Sequence, residues 1–125
     1  MRSASPVAPE TVTVASLPEA DLTLLSNARQ LGDAGQLHEA LQVCRQYLQA
    51  VPDSAEGHFL HGILQDALGN VELAASSFRK VLYLDPTHQE ALLHLALKQE
   101  ALGDAPGAAL LRARARRAAD AWTPE

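Results

Sequence analysis

Aromatic residues are scarce in this sequence, which has one Trp, two Tyr and two Phe among its 125 residues. The apolar share is nevertheless 47%, and Ala and Leu supply most of it. This composition favours closely packed helices over a sheet sandwich, since Ala and Leu are strong helix formers. We therefore predict an all-α chain without strands, long enough to form one domain around its own core.

Cysteine and long apolar runs are also nearly absent. Cys44 is the single cysteine of the sequence, so the chain cannot form an internal disulfide, and a reducing setting is the simpler interpretation. No apolar run approaches the roughly 18 residues that a membrane span requires. Residues 1–9 lack the apolar stretch of a secretion signal. We expect a soluble, cytoplasmic chain that does not insert into a membrane.

The formal net charge of -5 is unevenly distributed. Residues 1–111 contain 6 basic and 13 acidic side chains, whereas residues 112–125 contain four Arg and two acidic side chains. An acidic body argues against a general nucleic-acid binder, because neutralising phosphates needs a broad basic surface. The cluster of Arg112, Arg114, Arg116 and Arg117 is expected to be a solvated cap, with contact to an acidic partner or RNA as the alternative.

Residues 1–17 show no helical period and are predicted to be a flexible leader or an interdomain linker. Order is expected from residue 18, because Ser16, Pro18 and Glu19 combine a capping hydroxyl, a first-turn Pro and a Glu three residues after the cap. The same spacing of capping residue and Glu recurs at two later points, Asp53/Glu56 and Thr87/Glu90. These patterns predict three helix starts.

A period of 34 residues runs through the rest of the chain. Its aligned columns are the glycines at 35, 69 and 103, the alanines at 40, 74 and 108, the small residues at 28, 62 and 96, and the prolines at 52 and 86. Small residues let two helices approach closely, glycines end the first helix in a left-handed conformation, and prolines stop the second. The bulkier Cys44 and Phe78 are expected to fill the space between consecutive pairs.

A 34-residue period of helix, turn and helix resembles the tetratricopeptide repeat, TPR. The resemblance covers Asp21 to Trp122 and implies three helix-turn-helix repeats stacked as a right-handed α-solenoid within a domain spanning residues 18–122. The expected repeats are about 21–54, 55–88 and 89–122. In the last helix an apolar stripe alternates with the arginines, as is typical of a terminal cap; the stripe consists of Ala108, Leu111, Ala115, Ala118 and Trp122.

The segment Tyr83–Ala96, YLDPTHQEALLHLA, carries a closer resemblance together with Gly103-Asp104, Gly107-Ala108 and Leu111-Arg112. Over residues 20–120 the chain is similar to the C-terminal TPR segment of CheR-type chemoreceptor methyltransferases, including those of Wsp-like surface-sensing pathways. In that family an S-adenosylmethionine-dependent domain methylates receptor glutamates, and the TPR part is thought to mediate protein contacts.

The resemblance implies a non-catalytic interaction module, because no strand followed by a Gly-rich nucleotide loop is present. Gly32, Gly35 and Gly62 sit in helical repeat contexts instead. We expect no enzymatic activity from this chain and no cofactor, with a chemoreceptor or another signalling protein as the partner. The alternatives are a stand-alone adaptor or chaperone-like TPR protein, and a structural module that self-associates through its terminal helix.

Two side-chain types could indicate other chemistry. His58 and His61 are spaced i, i+3, and His94 lies on the next repeat's first helix, but zinc needs three or four ligands in closed geometry. We expect these histidines to lie at the surface or between helices without a metal. Cys44 is expected to be an inert packing residue and not a reactive thiol.

In a TPR stack the first helices line the concave groove, and each repeat supplies three positions spaced by three or four residues. The predicted partner-binding groove consists of Leu25, Arg29, Asp33, Phe59, Ile63, Asp66, Leu93, Leu97 and Glu100. An apolar floor with a charged edge suits an amphipathic helix or an extended peptide. The alternative is that Leu93 and Leu97 are ordinary core residues.

One TPR binding mode is discounted by residue type. The clamp that grips the C-terminal carboxylate of heat-shock chaperones uses Lys, Asn and Arg in the groove. The matching positions here are Leu25, Arg29, Phe59, Ile63, Glu90 and His94. Arg29 is the single permanent cation of this set, and nearby acids would repel a carboxylate.

Overall fold

The computed structural model describes the backbone of residues 19–121 and the side-chain surroundings of residues 21–121. Six α-helices fill this part of the chain, with no strand among them: α1 Glu19–Asp33, α2 Leu37–Ala50, α3 Ala55–Ala67, α4 Val71–Leu84, α5 Gln89–Ala101 and α6 Ala105–Ala121. The predicted leader, residues 1–17, and the predicted stripe residue Trp122 lie outside the described residues.

The helices form three antiparallel pairs, α1 with α2, α3 with α4 and α5 with α6, and α4 packs against α5 as α2 packs against α3. The turn within each pair contains one glycine with positive φ, at 84°, 85° and 90° for Gly35, Gly69 and Gly103. An L side chain rarely adopts this conformation, so the glycine column of the sequence is explained. The prediction of three stacked helix pairs, an all-α solenoid, is confirmed.

Two of the three predicted helix starts differ from the structure by one residue, and the third, with its predicted cap Ser16, lies outside the described residues. Ser54, not Asp53, caps α3, and its side-chain oxygen accepts the Gly57 N–H at 2.9 Å. His88, not Thr87, caps α5 through its Nδ1, which accepts the Ala91 N–H at 3.1 Å. The reason is the turn after each proline: backbone hydrogen bonds from Ser54 to Val51 and from His88 to Asp85 leave Asp53 and Thr87 inside the turn.

The core falls into two clusters, one shared by α1, α2 and α3 and one centred on α4 and α5, and each combines small residues with large ones. Ala28, Ala40, Ala74, Ala96 and Ala108 are fully buried, as the alanine and small-residue columns predict. Cys44 and Phe78 are also fully buried and occupy the predicted positions between pairs.

Phe78 shows why its partner column needs small residues. A Cβ added to Gly62 would lie 2.8 Å from Cε1 of the Phe78 ring, far inside van der Waals contact. The ring also packs against His94, with centroids 5.2 Å apart and planes at 16°, and against Phe59 at 5.6 Å. Phe78 therefore joins α3, α4 and α5 in one contact.

The apolar stripe of α6 is confirmed for Ala108 and Ala115, which are buried, while Leu111 and Ala118 are half-buried. None of the helices in the described part is long and apolar enough to cross a membrane.

Burial raises the pKa of the Cys44 thiol to about 11, although nearby Arg45 opposes this rise. The thiol also donates a hydrogen bond to the Gly57 carbonyl at 3.4 Å. Since an unfolded Cys has a pKa of about 8.5, the buried neutral thiol contributes stability below that pH, and the contribution is lost as the pH rises towards 11. We expect a thiol reagent at about pH 8 to label Cys44 only as fast as the chain unfolds.

The accompanying measurement is urea unfolding followed by circular dichroism at about pH 8 and about pH 10. The decrease in the free energy of unfolding between these pH values should be smaller in Cys44→Ala, which has no thiol to ionise. Rapid labelling of the folded protein would contradict the inert role of Cys44.

Candidate partner-binding groove

A cavity of about 470 Å³ opens on the face formed by the first helices, α1 and α3, and by the start of α5. Its floor is apolar and comes from one face of α3. Phe59, Leu60, Ile63, Leu64 and Ala67 recur there at helical spacing, so their side chains point in one direction. The arrangement provides a preformed recess for an apolar side chain of another molecule.

Aromatic stacking holds one wall of this recess. The Phe59 ring stacks on the His88 ring with centroids 5.0 Å apart and planes at 30°, and it meets His94 edge-on at 5.6 Å. Because His88 also caps α5, its ring position is fixed by the helix start. The wall is therefore built from two repeats and depends on their correct stacking.

The rim of the cavity is charged and mainly acidic. It contains Asp33, Glu56 and Glu90 but one cation, Arg29. Arg29 lies 3.6 Å from the Glu56 carboxylate, with both side chains largely in solvent. Such an exposed pair contributes little to stability, but it places the arginine beside an acid. Neither Asp33 nor Glu90 has an ion-pair partner among the described residues.

The structure brings four of the predicted groove residues together, since Arg29, Asp33, Phe59 and Ile63 all line the cavity. Leu25 lies elsewhere: it is 5% exposed, so its side chain packs inside the domain and does not face a partner.

Asp66 accepts an ion-pair hydrogen bond from Lys98 of α5. This contact crosses from the second repeat to the third on the groove side. The Asp66 carboxylate is therefore half-buried and paired with a side chain of the same chain, and Asp66 does not line the cavity.

Leu93 and Leu97 on α5 are exposed, 43% and 52%, so the alternative that they are ordinary core residues is wrong. Neither of them lines the cavity, and Leu93 instead lines a separate recess between α5 and α6. Glu100 accepts two hydrogen bonds from the Arg112 guanidinium, at 2.9 and 2.8 Å. This contact lowers the pKa of the Glu100 carboxyl and raises that of Arg112.

Eight lining residues were not among the predicted groove residues: Gly32, Leu37, Glu56, Leu60, Leu64, Ala67, His88 and Glu90. The 34-residue period could have indicated Glu56, because it stands one repeat before Glu90 on the groove side of a first helical turn. His88 could not be found this way, since its place in the wall follows from its role as a helix cap.

The histidines considered as metal ligands make other contacts. The His58 Nε2 lies 2.9 Å from the Pro52 carbonyl oxygen, and the His61 Nδ1 lies 2.7 Å from the Ser77 hydroxyl. Burial, followed by the nearby charges of Arg45 and His58, lowers the pKa of His61. Within residues 21–121 no group of three or more His, Cys, Asp or Glu side chains could hold a metal ion.

Comparison with known proteins identifies similar sequences but no matching protein-family model. The chain is 43% identical over 95 residues to the probable biofilm formation methyltransferase WspC of Pseudomonas putida, which is 76% of this chain and 22% of that protein. It is 44% identical over 88 residues to WspC of Pseudomonas aeruginosa, 70% of this chain and 21% of that protein. The chain thus spans about a fifth of the length of these relatives.

Among solved structures, PcrH in complex with the chaperone binding region of PopB superposes with a TM-score of 0.79 at 20% identity, covering 90% of this chain and 88% of that chain. The first TPR of RPAP3, bound to an HSP90 peptide, superposes with a TM-score of 0.77 at 15% identity, covering 85% and 84%. At such identities the likeness concerns the fold. The chain is a helical domain of the TPR fold, and its sequence resembles part of the WspC methyltransferases.

Proposed function

We propose that this chain is a protein-interaction domain that binds a segment of a partner protein in the groove formed by α1, α3 and α5. The observation that carries the proposal is the preformed cavity, which has an apolar floor around Phe59 and Ile63 and a charged rim. A peptide-binding site combines an apolar recess with polar groups around it. Burial of an apolar side chain in the recess contributes affinity for the peptide, and the polar rim fixes the orientation of the peptide.

The occupant that fits is an amphipathic helix or extended peptide with an apolar anchor. Three carboxylates against one arginine at the rim favour a basic side chain next to that anchor. The same charges disfavour an acidic C-terminal peptide, since Arg29 already lies beside Glu56. The groove thus differs in chemistry from a carboxylate clamp, although the RPAP3 domain of similar fold binds an HSP90 peptide.

The wider role that we propose is that of a non-catalytic part of a chemoreceptor methyltransferase. Similarity to WspC over about a fifth of that protein's length supports this role, as does the presence of helical repeats alone among the described residues. The domain would bring a cytoplasmic methyltransferase to a chemoreceptor or to another chemosensory protein. The enzyme activity itself would belong to other parts of such a protein.

A groove variant should lose binding without losing its fold. We expect Ile63→Ala to weaken peptide binding about tenfold, because Ile63 lines the cavity and the lost contact with an apolar anchor is worth roughly 1.4 kcal/mol. Binding would be measured by isothermal titration with peptides selected from a phage-displayed library on the unmodified chain.

The Ile63→Ala variant has a matched control. Val43→Ala changes a half-buried residue of α2 that packs on the other core cluster, much as Ile63 packs on the first. Equal loss of binding in Val43→Ala and Ile63→Ala, with unchanged circular dichroism, would reject the groove as the site.

A further inference from the structure

A second cavity, of about 540 Å³, opens between α4, α5 and α6 on the face to which the second helices α4 and α6 contribute most. It is separate from the groove and shares no lining residue with it. Its charged lining residues are both cations, Arg79 of α4 and Arg114 of α6. The chain has a net charge of -5, so a cavity whose charged lining residues are all cations has the opposite sign of charge to the chain as a whole.

Both arginines are held in place by neutral oxygen atoms. Arg79 donates a hydrogen bond to the Gln99 side-chain oxygen at 2.9 Å, and Arg114 donates one to the Pro86 carbonyl at 3.2 Å. No ion pair joins either guanidinium to a carboxylate among the described residues. The Asp104 carboxylate, at the far side of Gln99, already accepts the Gln99 amide and the Gly107 N–H.

Arg112, on the same helix as Arg114, differs from these two arginines because its charge is neutralised by a carboxylate. Arg112 forms two hydrogen bonds with the Glu100 carboxylate, so its charge has an anionic partner within the chain. Arg79 and Arg114 are oriented but retain free N–H donors and uncompensated charge. A planar guanidinium in this state is suited to bind a carboxylate.

The cavity also exposes the two most exposed large apolar side chains among the described residues. Tyr83 is 81% exposed and Leu110 is 70% exposed, and both line the cavity beside the arginines. Aromatic, leucine and arginine side chains grouped around a recess resemble the centre of a protein interface more than ordinary surface.

We propose that the Arg79–Arg114 cavity is a second docking site, which binds a protein segment carrying one or two carboxylates next to an apolar side chain. The carboxylates pair with the two guanidinium groups, and the apolar side chain packs on Tyr83 and Leu110. The site has the opposite charge preference to the groove, so one domain can hold two different segments at once. It also gives Arg114 a role that a solvated terminal helix does not require.

A protein segment fits better than a nucleic acid. Nucleic-acid binding draws its affinity from many phosphate contacts over a broad basic surface, whereas this cavity offers two arginines on an acidic chain. Two guanidinium groups are enough for one or two carboxylates, and the exposed leucine has no matching group on a phosphate backbone.

The test uses two fluorescein-labelled helical peptides of about three turns, each with a Leu stripe on an Ala scaffold. One carries Glu beside the stripe and the other carries Lys at the same positions. We expect the Glu peptide to bind the whole chain more tightly, and Arg79→Gln and Arg114→Gln each to weaken it about two- to fivefold, the range for one exposed charge pair. Leu110→Ser should weaken it as well.

The control is Arg116→Gln, which removes the same charge from the same helix at a position about 200° around the axis from Arg114. It should leave affinity for the Glu peptide within measurement error. The proposal would be overturned if Arg116→Gln weakened binding of the Glu peptide as much as Arg114→Gln does, or if the Glu peptide did not bind at millimolar concentration. It would also be overturned if the Lys peptide bound more tightly than the Glu peptide and Leu110→Ser weakened that binding.

Two further measurements distinguish a protein segment from other molecules that the cavity could bind. An oligothymidylate that binds more tightly than the Glu peptide and is weakened by Arg114→Gln would replace the protein segment with nucleic acid. Light scattering that shows self-association of the unmodified chain, lost in Arg79→Gln, would make a second copy the occupant. Either result would overturn the site as proposed, whereas Ile63→Ala should change none of these measurements because Ile63 lines the groove and not this cavity.

Discussion

Gly62→Leu is expected to lower the free energy of unfolding by about 1–3 kcal/mol, the usual range for overpacking a tight core. A Cβ at residue 62 alone would come within 3.0 Å of three atoms of the Phe78 ring. That ring cannot retreat, because it is fully buried and stacked on His94. The helix propensity gained by replacing glycine, just under 1 kcal/mol, offsets only part of the strain.

Gly32→Ala is the matched control in α1. Its Cβ would meet Leu64 Cδ2 at 3.0 Å, the far end of a side chain that borders the groove cavity and can therefore shift towards open space. Helix propensity then favours the variant by up to about 1 kcal/mol, so we expect it to be neutral or slightly stabilising. Urea unfolding followed by circular dichroism measures both variants. A Gly62→Leu chain as stable as the unmodified one would contradict the packing register.

The repeat register could be predicted from sequence because it depends on positions where few residue types fit. Positive φ at Gly35, Gly69 and Gly103 and the contact between Gly62 and Phe78 tolerate few side chains. A 34-residue period of such residues therefore fixes where each helix pair turns and packs.

Contacts between polar side chains could not be predicted in the same way. Gln65 is buried near the end of α3, and its side-chain oxygen accepts a hydrogen bond from Asn70 at 2.8 Å. One repeat later Gln99 donates to Asp104 at 2.8 Å. Each contact joins the end of a first helix to the start of the second. Residue type alone did not indicate this bond, because Gln is found mostly at exposed positions.

The candidate groove could be predicted only in part, because helical spacing indicates the face on which a residue lies but not its contacts. Helical spacing places Arg29, Asp33, Phe59 and Ile63 on one face, and the structure gathers them around one cavity. The spacing says nothing about depth, which is why it also selected Leu25, a buried residue. Whether Asp66 and Glu100 face solvent or another side chain depends on Lys98 and Arg112, which reach them from a neighbouring helix.

Phe78→Ala should be the most destabilising single truncation in the described part of the chain, at about 3–5 kcal/mol. Phe78 is the largest fully buried side chain, and it touches residues of α3 and α5 as well as packing within α4. Domains of this size have a total stability of about 5–15 kcal/mol, so the loss is a large share of it. Thermal and urea unfolding would measure the change, with Tyr83→Ala of the same helix as control, expected within about 0.5 kcal/mol because Tyr83 is exposed.

A double variant tests whether the two large effects have one cause. If Gly62→Leu is harmful because it meets the Phe78 ring, then removing that ring should leave room for the new leucine. In the Phe78→Ala background Gly62→Leu should therefore raise stability, giving a coupling free energy of at least about 1 kcal/mol between the two sites. Additive losses would mean that residues 62 and 78 act independently, and would contradict the close approach of α3 and α4 at this point. Because Phe78 also supports His94 and Phe59, partial recovery of peptide binding in the double variant would show that the groove wall depends on this same contact.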